Sequence, residues 1–348
     1  MMIFSSSLFA QEKFTVSGYI KDSSTGESLI GCTVALPDLG QGTTTNEYGF
    51  FSITLPQGNF HLRVTYLGYT TVDSTFDLTK DFRWNINLQN SSTVIKEVTV
   101  TADDRKDANV QSSEMGKVEL SMDKIKTLPA LFGEVDVLKT IQLLPGVQSG
   151  GEGNSGFYVR GGGPDQNLIL LDEATVYNSG HLFGFFSVFN SDAINNTTLY
   201  KGGMPANYGG RISSVLDINM KDGNNQTFHA SGGIGLIASR LTLEGPIIKN
   251  KCSYIISGRR TYIDVLAKPF IKNPDAKGSG YFFYDLNTKI NYKFSDKDRL
   301  FLSGYFGRDV FGFKNPDFKI SIPWGNATAT ARWNHLFTDK LFLNTSLI

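Results

Sequence analysis

Leu143 to Asn219 reads LLPGVQSGGEGNSGFYVRGGGPDQNLILLDEATVYNSGHLFGFFSVFNSDAINNTTLYKGGMPANYGGRISSVLDIN, and this stretch decides the fold. It is dense in glycine, and its apolar runs are too short for core helices. Phe157-Tyr158-Val159 and Leu168-Ile169-Leu170-Leu171 read as short buried strands, separated by glycine clusters and a Gly-Pro-Asp turn. A piece with many loops and little apolar mass folds better inside a larger shell. The residues from Thr227 onward read as the wall of that shell.

The wall signal is alternation. In Leu286 to Phe294, Leu286, Thr288, Ile290, Tyr292 and Phe294 fall on one face, and Asn287, Lys289, Asn291 and Lys293 on the other. That is the lipid-out, lumen-in pattern of a transmembrane β-strand. His229 to Leu243 reads as a first strand and Ser253 to Asp264 as a second. Arg299 to Gly307 places Leu300, Leu302 and Phe306 outward. Asn326 to Trp333 sets Thr328, Thr330 and Arg332 against alanines and Trp333, and Leu341 to Leu347 alternates again. Connections are short at 245–250, long at 267–280, short at 295–298, long at 313–323 and short at 337–339. A membrane meander sorts its turns this way; a soluble sandwich has no reason to. About six strands are legible, too few to enclose a plug of this size, since barrel diameter grows with strand number. The expectation is therefore an N-terminal fragment with an open, curved sheet.

Composition agrees. The chain has 348 residues, with 33 Lys+Arg balanced by 33 Asp+Glu, and this balance gives no sign of a polybasic surface for nucleic acid or lipid. Gly at 36, Phe at 26 and Tyr at 14, with 19% charged residues, favour an all-β chain with many turns. No apolar run reaches the roughly 18 residues of a membrane helix. Cys32 and Cys252 lie too far apart for a disulfide framework and read as two small buried thiols. Met1 to Ala10, MMIFSSSLFA, reads as a signal-peptide remnant cleaved after Ala10, although a basic n-region is missing.

Lys13 to Asn90 carries short strands broken by turns every 8–12 residues, the pattern of a small β-sandwich. Ile20-x-Asp22-x-x-Thr25-Gly26-x-x-Leu29-Ile30-Gly31, then Gly42-Thr43-Thr44-Thr45-Asn46-Glu47, Leu55-Pro56-x-Gly58 and Tyr66-Leu67-Gly68-Tyr69 follow in order. This resembles the carboxypeptidase-regulatory-like domain. The resemblance implies a fold and no peptidase activity. His61 is the segment's one histidine, whereas a zinc peptidase needs clustered ligands.

Residues 91–110 form a linker around Glu97-Val98-Thr99-Val100-Thr101-Ala102. A free β-prone segment between charged residues suits β-augmentation onto another protein's sheet edge; a last edge strand of the first domain is the alternative. In residues 111–224, Lys117 to Leu120 reads as a strand. Ser121 to Ile125 reads as a helical turn capped by Ser121. Phe132 to Leu144 reads as a helix with Val135, Leu138, Ile141 and Leu144 on one side, ended by Pro145-Gly146. Gly151 to Gly156 fits G-x-G-x-x-G, but that motif needs a strand before it and a helix after it; here the order is reversed, which rejects a dinucleotide site.

Pro145-Gly146-Val147, Tyr158-Val159-Arg160-Gly161-Gly162, Leu170-Leu171-Asp172-Glu173, Tyr200-Lys201-Gly202-Gly203 and Tyr208-Gly209-Gly210-Arg211 then follow one another. They resemble the plug domain of TonB-dependent outer-membrane receptors of the Bacteroidetes type. The resemblance implies a mainly β chain: β-sandwich (13–90), α+β plug (111–224) and an incomplete antiparallel transmembrane barrel wall (225–348). It makes Glu97 to Thr101 a TonB box, with TonB and the ExbB/ExbD energising complex as partners. It implies an outer-membrane location with a periplasmic N-terminal domain, and a siderophore, glycan or similar substrate. Arg160 and Arg211 match plug positions that face wall carboxylates in relatives, and Glu173 stands where relatives often have glycine. No nucleophile–base pair, cofactor or metal cluster is legible. His181 sits in the plug, where it either touches substrate or is an ordinary loop residue. The rival readings are a secreted adhesin built on the first domain and a signalling receptor of the same architecture.

Overall fold

The computed structural model describes residues 12–91, 116–128, 133–151, 155–266, 268–270, 279–314 and 317–348. The expected signal-peptide remnant, the box Glu97 to Thr101 and most of its linker lie outside them. The chain forms two compact units, 1–97 with 294–299 and 334–344, and the remainder.

The first unit holds the predicted sandwich. One sheet runs Phe50–Pro56, Lys13–Asp22, Phe82–Arg83, with Ile86–Leu88 also pairing Lys13–Asp22 in parallel. The other runs Gln41–Thr44, Thr33–Leu36, Gly58–Thr65, Val72–Leu78. Val16, Ile20, Val34, Phe51, Leu62, Val64, Leu78 and Leu88 fill the space between, and Cys32 packs among them as a free thiol. Phe82–Arg83 and Ile86–Leu88 are separated at Trp84-Asn85. There the chain crosses Gly18 so closely that a Cβ on Gly18 would lie 1.9 Å from the Trp84 carbonyl oxygen. Asn85 Oδ1 accepts from the Tyr19 amide instead of continuing the ladder.

In the second unit, the plug sheet has the order Ala174–Thr175, Asn167–Leu171, Ser214–Met220, Ile194–Tyr200, Lys117–Ser121. Asn167–Leu171 and Ser214–Met220 pair in parallel at the centre of the sheet, and Ile169, Leu170, Leu171, Val215, Leu216 and Ile218 are buried. The predicted helix is shorter than its apolar spacing suggested. It spans Val137–Ile141, because Asp136 caps it, accepting from the Leu138 and Lys139 amides. Leu138 and Ile141 are still fully buried, and Val135 and Leu144 pack beside them.

The wall is a seven-stranded meander: His229–Ile234, Ala238–Ile248, Cys252–Thr261, Gly280–Lys293, Asp298–Lys314, Lys319–Thr338 and Leu341–Leu347. Two expectations are corrected. His229 to Leu243 is a hairpin and not one strand: Ile234 pairs with Ser239, and the Gly235 amide donates to the Ala238 carbonyl. Glycines 232, 233 and 235 present no side chains, so alternation there could not mark the turn. The long connection expected at 313–323 is mostly strand, leaving only residues 315–318 between two strands of 17 and 20 residues. Pro323, which suggested a loop, sits in the part of Lys319–Thr338 that the seven residues of Leu341–Leu347 are too few to cover, an edge position where proline is tolerated.

Candidate functional site

The alternation of Gly280–Lys293 sets up the site. Leu286 and Ile290 are 44% and 42% exposed, whereas Asn287 and Lys289 on the opposite face are 2% and 4% exposed. Burial of lysine costs several kcal/mol unless it is paired. Lys289 Nζ lies 3.1 Å from Asp172 Oδ2 and 3.0 Å from Asp222 Oδ1, and donates to the Met220 carbonyl at 2.9 Å. All three partners belong to the plug. Asp172 in turn accepts from the Met220 amide at 2.9 Å, which ties its carboxylate to the plug's central strand.

Asp172 and Glu173 form the two-residue turn between Leu171 and Ala174, with φ of 46° and 71°. Both angles are left-handed, the geometry of a type I′ hairpin turn, which favours Asn and Gly. Glu173 occupies it at a strain of about 1–3 kcal/mol. Its carboxylate lies 3.1 Å from Nε of buried Arg332 on the wall. The departure from glycine at this position therefore coincides with a further plug–wall ion pair.

A second cluster surrounds His181. The ring is 1% exposed and stacks on Phe283, with centroids 4.0 Å apart and planes at 6°. Nε2 is 2.7 Å from Asp285 Oδ1 and Nδ1 is 2.7 Å from Asp309 Oδ2. Two carboxylates can each accept only if both ring nitrogens donate, so the geometry is that of an imidazolium. Burial works against the charged ring, but the two carboxylates outweigh it and raise the His181 pKa above its ordinary value. Asp285 Oδ2 accepts from Arg259 Nε (2.8 Å) and Nη2 (2.6 Å), and its Oδ1 also accepts from the Tyr305 hydroxyl at 2.8 Å. Arg259 also donates to the Ser187 carbonyl of the plug and lies 3.7 Å from Glu134. Asp309 accepts from the Tyr281 hydroxyl and from the Leu182 amide. Arg240 completes the belt with Asp192 at 2.7 Å and Glu134 at 3.5 Å.

The segment after His181 is strained: Leu182 and Phe183 have φ of 50° and 56°. Phe183 is exposed and packs its ring against Trp324 and Phe311 of the wall. Beside it lies a cavity of about 290 Å³, bordered by Asn167, Tyr177, Asn178, Phe183 and Arg211. Asn178 exchanges hydrogen bonds with Asn326 of the wall at 3.2 and 2.7 Å.

The other motif residues divide into two groups. Pro145 to Val147, Arg160 to Gly162 and Gly202 meet at one edge: the Arg160 amide donates to the Gly146 carbonyl, Lys201 Nζ to the Pro145 carbonyl, and the Arg160 guanidinium lies over Gly202, where a Cβ would be 2.5 Å from Nη1. Gly203, at φ 62°, continues this edge, while Gly209 borders open space and Arg211 reaches the cavity. Arg160 and Arg211 meet no wall carboxylate among the described residues. Both are exposed, and Arg211 donates to the Gly210 carbonyl; among the described residues neither forms an ion pair. The plug–wall belt mostly runs with the opposite polarity, plug acids against wall bases, with His181 between two wall carboxylates as the exception. Asp172 was legible as a motif residue. Lys289 was legible only as lumen-facing, and Arg259, Asp285 and Asp309 were missed, although each stands at an inward position of an alternating strand.

Two family models match the chain. The carboxypeptidase-regulatory-like domain covers residues 16–100, so it takes in Glu97 to Val100 as well. The TonB-dependent receptor plug domain covers residues 122–215. A search by sequence among curated proteins finds no match. Among solved structures, the chain is similar to the siderophore receptor PirA from Acinetobacter baumannii (18% identity, TM-score 0.46, 64% of this chain and 38% of that one). It is likewise similar to the outer membrane transporter YddB from Escherichia coli (16% identity, TM-score 0.46, 63% and 36%). A third is FpvA of P. aeruginosa, solved with a heterologous pyoverdine and iron (12% identity, TM-score 0.47, 65% and 32%). The chain spans well under half the length of each.

Proposed function

We propose that this chain, which carries a carboxypeptidase-regulatory-like domain followed by a TonB-dependent receptor plug domain, works as part of an outer-membrane importer. In this reading a scarce substrate, a ferric siderophore, a glycan or a molecule of similar size, is taken up through a plugged β-barrel. The observation that carries it is Lys289: a wall residue 4% exposed whose charge is met by the plug's Asp172, Asp222 and Met220 carbonyl. A secreted adhesin needs neither lipid-facing alternation nor a stopper held by buried charge.

Substrate occupies the outer side of the plug and the barrel loops. Glu97 to Thr101 then pairs as a strand with TonB in the periplasm, where the N-terminal domain also resides, and ExbB/ExbD energise the pull. Force along the chain breaks the belt of ion pairs one plug segment at a time and opens a path. No bond of the substrate is made or broken. The regulatory-like match runs through residue 100, so the box overlaps the end of that domain, and pairing with TonB competes with the edge-strand alternative.

The test is growth and transport in a deletion strain on a panel of iron and glycan sources. Uptake of one source is lost on deletion and on removal of residues 97–102, with binding to cells retained in the second case. Uptake of every source surviving both changes would remove the support for import.

A further inference from the structure

We propose that His181 is a proton-controlled latch, holding the plug segment Gly180 to Phe185 against the wall only while its ring carries both protons. The inference rests on the plugged-barrel reading above and concerns how that plug is held.

The geometry requires it. Each ring nitrogen is 2.7 Å from a different wall carboxylate, Asp285 and Asp309. Once a proton leaves, one nitrogen presents a lone pair to a carboxylate oxygen, and an attraction becomes a repulsion in a site closed to water. The groups facing the ring from every side are known. Asp285 and Asp309 come from two wall strands, Arg259 lies behind Asp285 with Glu134 beyond it, and the Tyr281 and Tyr305 hydroxyls are committed to Asp309 and Asp285. Asp136 sits on the far side of the short hairpin, accepting from the Ser187 amide at 2.7 Å. With His181 charged, two cations meet the two wall carboxylates and Glu134; with it neutral, Arg259 alone remains.

The segment is also built to move. His181 leads directly into Leu182 and Phe183, both held at positive φ, and the Leu182 amide is bound by Asp309, the same carboxylate that holds the ring. Its backbone pairing is short, Gly180–His181 with Phe186–Ser187, and the rest of its hold is side-chain packing of Leu182, Phe183 and Phe185 on neighbouring aromatic rings. Phe183 and Gly180 border the cavity, so release of this segment reshapes the cavity's rim. The raised pKa of His181 places the transition above the ordinary histidine value, so the latch is closed below about pH 6.5 and opens as pH rises through the folded value.

Amide hydrogen exchange on the full-length protein in detergent or outer membranes reads this directly. Protection factors for residues 180–187, corrected for the intrinsic pH dependence of exchange, fall at least tenfold between pH 6 and pH 9 in the wild type and stay flat in His181→Gln. Asp309→Asn, which removes one carboxylate, moves the fall to lower pH and serves as the test if His181→Gln does not fold. Flat protection in the wild type, the same fall in His181→Gln, or an unmoved midpoint in Asp309→Asn each overturns the latch. Exchange reports on the plug whether or not uptake is found, so a failure of the import reading does not resemble a failure of the latch.

Discussion

Lys289 shows what one buried charge demands. Its two carboxylate partners and a carbonyl all come from the plug, so replacing it strands Asp172 and Asp222 rather than merely deleting an attraction. Lys289→Met is expected to destabilise plug seating by about 3–5 kcal/mol. Urea titration monitored by protease sensitivity of residues 167–222 measures it; an unchanged midpoint would contradict the ion-pair account. In the sandwich, Asp22 plays a local role. Its Oδ1 accepts from the Ser24 amide and hydroxyl and the Thr25 amide, and its Oδ2 from the Tyr69 hydroxyl at 2.6 Å. Tyr69→Phe removes that last donor and costs about 1.5–3 kcal/mol, the charge-assisted range, read as a lower thermal midpoint of the sandwich. Cys32 is a third case at this scale. Burial pushes its thiol up to about 12, so it stays unreactive to iodoacetamide at pH 8 until the sandwich unfolds.

Elements carry the membrane argument. Strand Gly280–Lys293 keeps its apolar face outward over Leu286 and Ile290 while Asp285, Asn287 and Lys289 point in. If the wall lies in a bilayer, Leu286→Arg, at the middle of this strand, costs about 2–4 kcal/mol, whereas an exchange between polar residues at Asn287 leaves assembly intact. Heat-modifiable mobility on gels separates the two variants. The wall hairpin at 235–237 and the long strands on either side of residues 315–318 belong to this scale too. In both places the backbone pairing of neighbours, and not the side-chain period, sets where a strand ends.

For the whole molecule, Asp22 in one unit and His181 in the other answer pH in opposite directions. In the sandwich, burial raises the Asp22 pKa but the hydrogen bonds from Ser24, Tyr69 and Thr25 outweigh it and lower it below its ordinary value. That contribution is present above the unfolded carboxylate value and is lost as pH falls through the lower folded value, under about pH 3.8. His181 has a raised folded value, so its contribution is full below about pH 6.5 and is lost as pH rises through the higher folded value. Exchange followed across pH is expected to show acid loosening around residues 22–26 and alkaline loosening around residues 180–187. A common pH dependence of the two regions would refute the assignment.

What the sequence alone determined is everything written as a period or a turn signal. Glycine clusters around Phe157 to Val159 and Leu168 to Leu171 fixed a loop-rich plug with two short buried strands. The two-residue alternation of Leu286 to Phe294 fixed which face of the wall turns outward. Evenly punctuated strands from Lys13 to Leu88 fixed a sandwich. These are local properties, because side-chain direction in a strand follows from the backbone itself. Tertiary structure alone decided which charge meets which. Arg160 and Arg211 are exposed and form no ion pair among the described residues, while Lys289, Arg259 and His181 find carboxylates 26 to 128 residues away in the chain. An ion pair has no period; its partners are chosen by how two surfaces come to rest against each other.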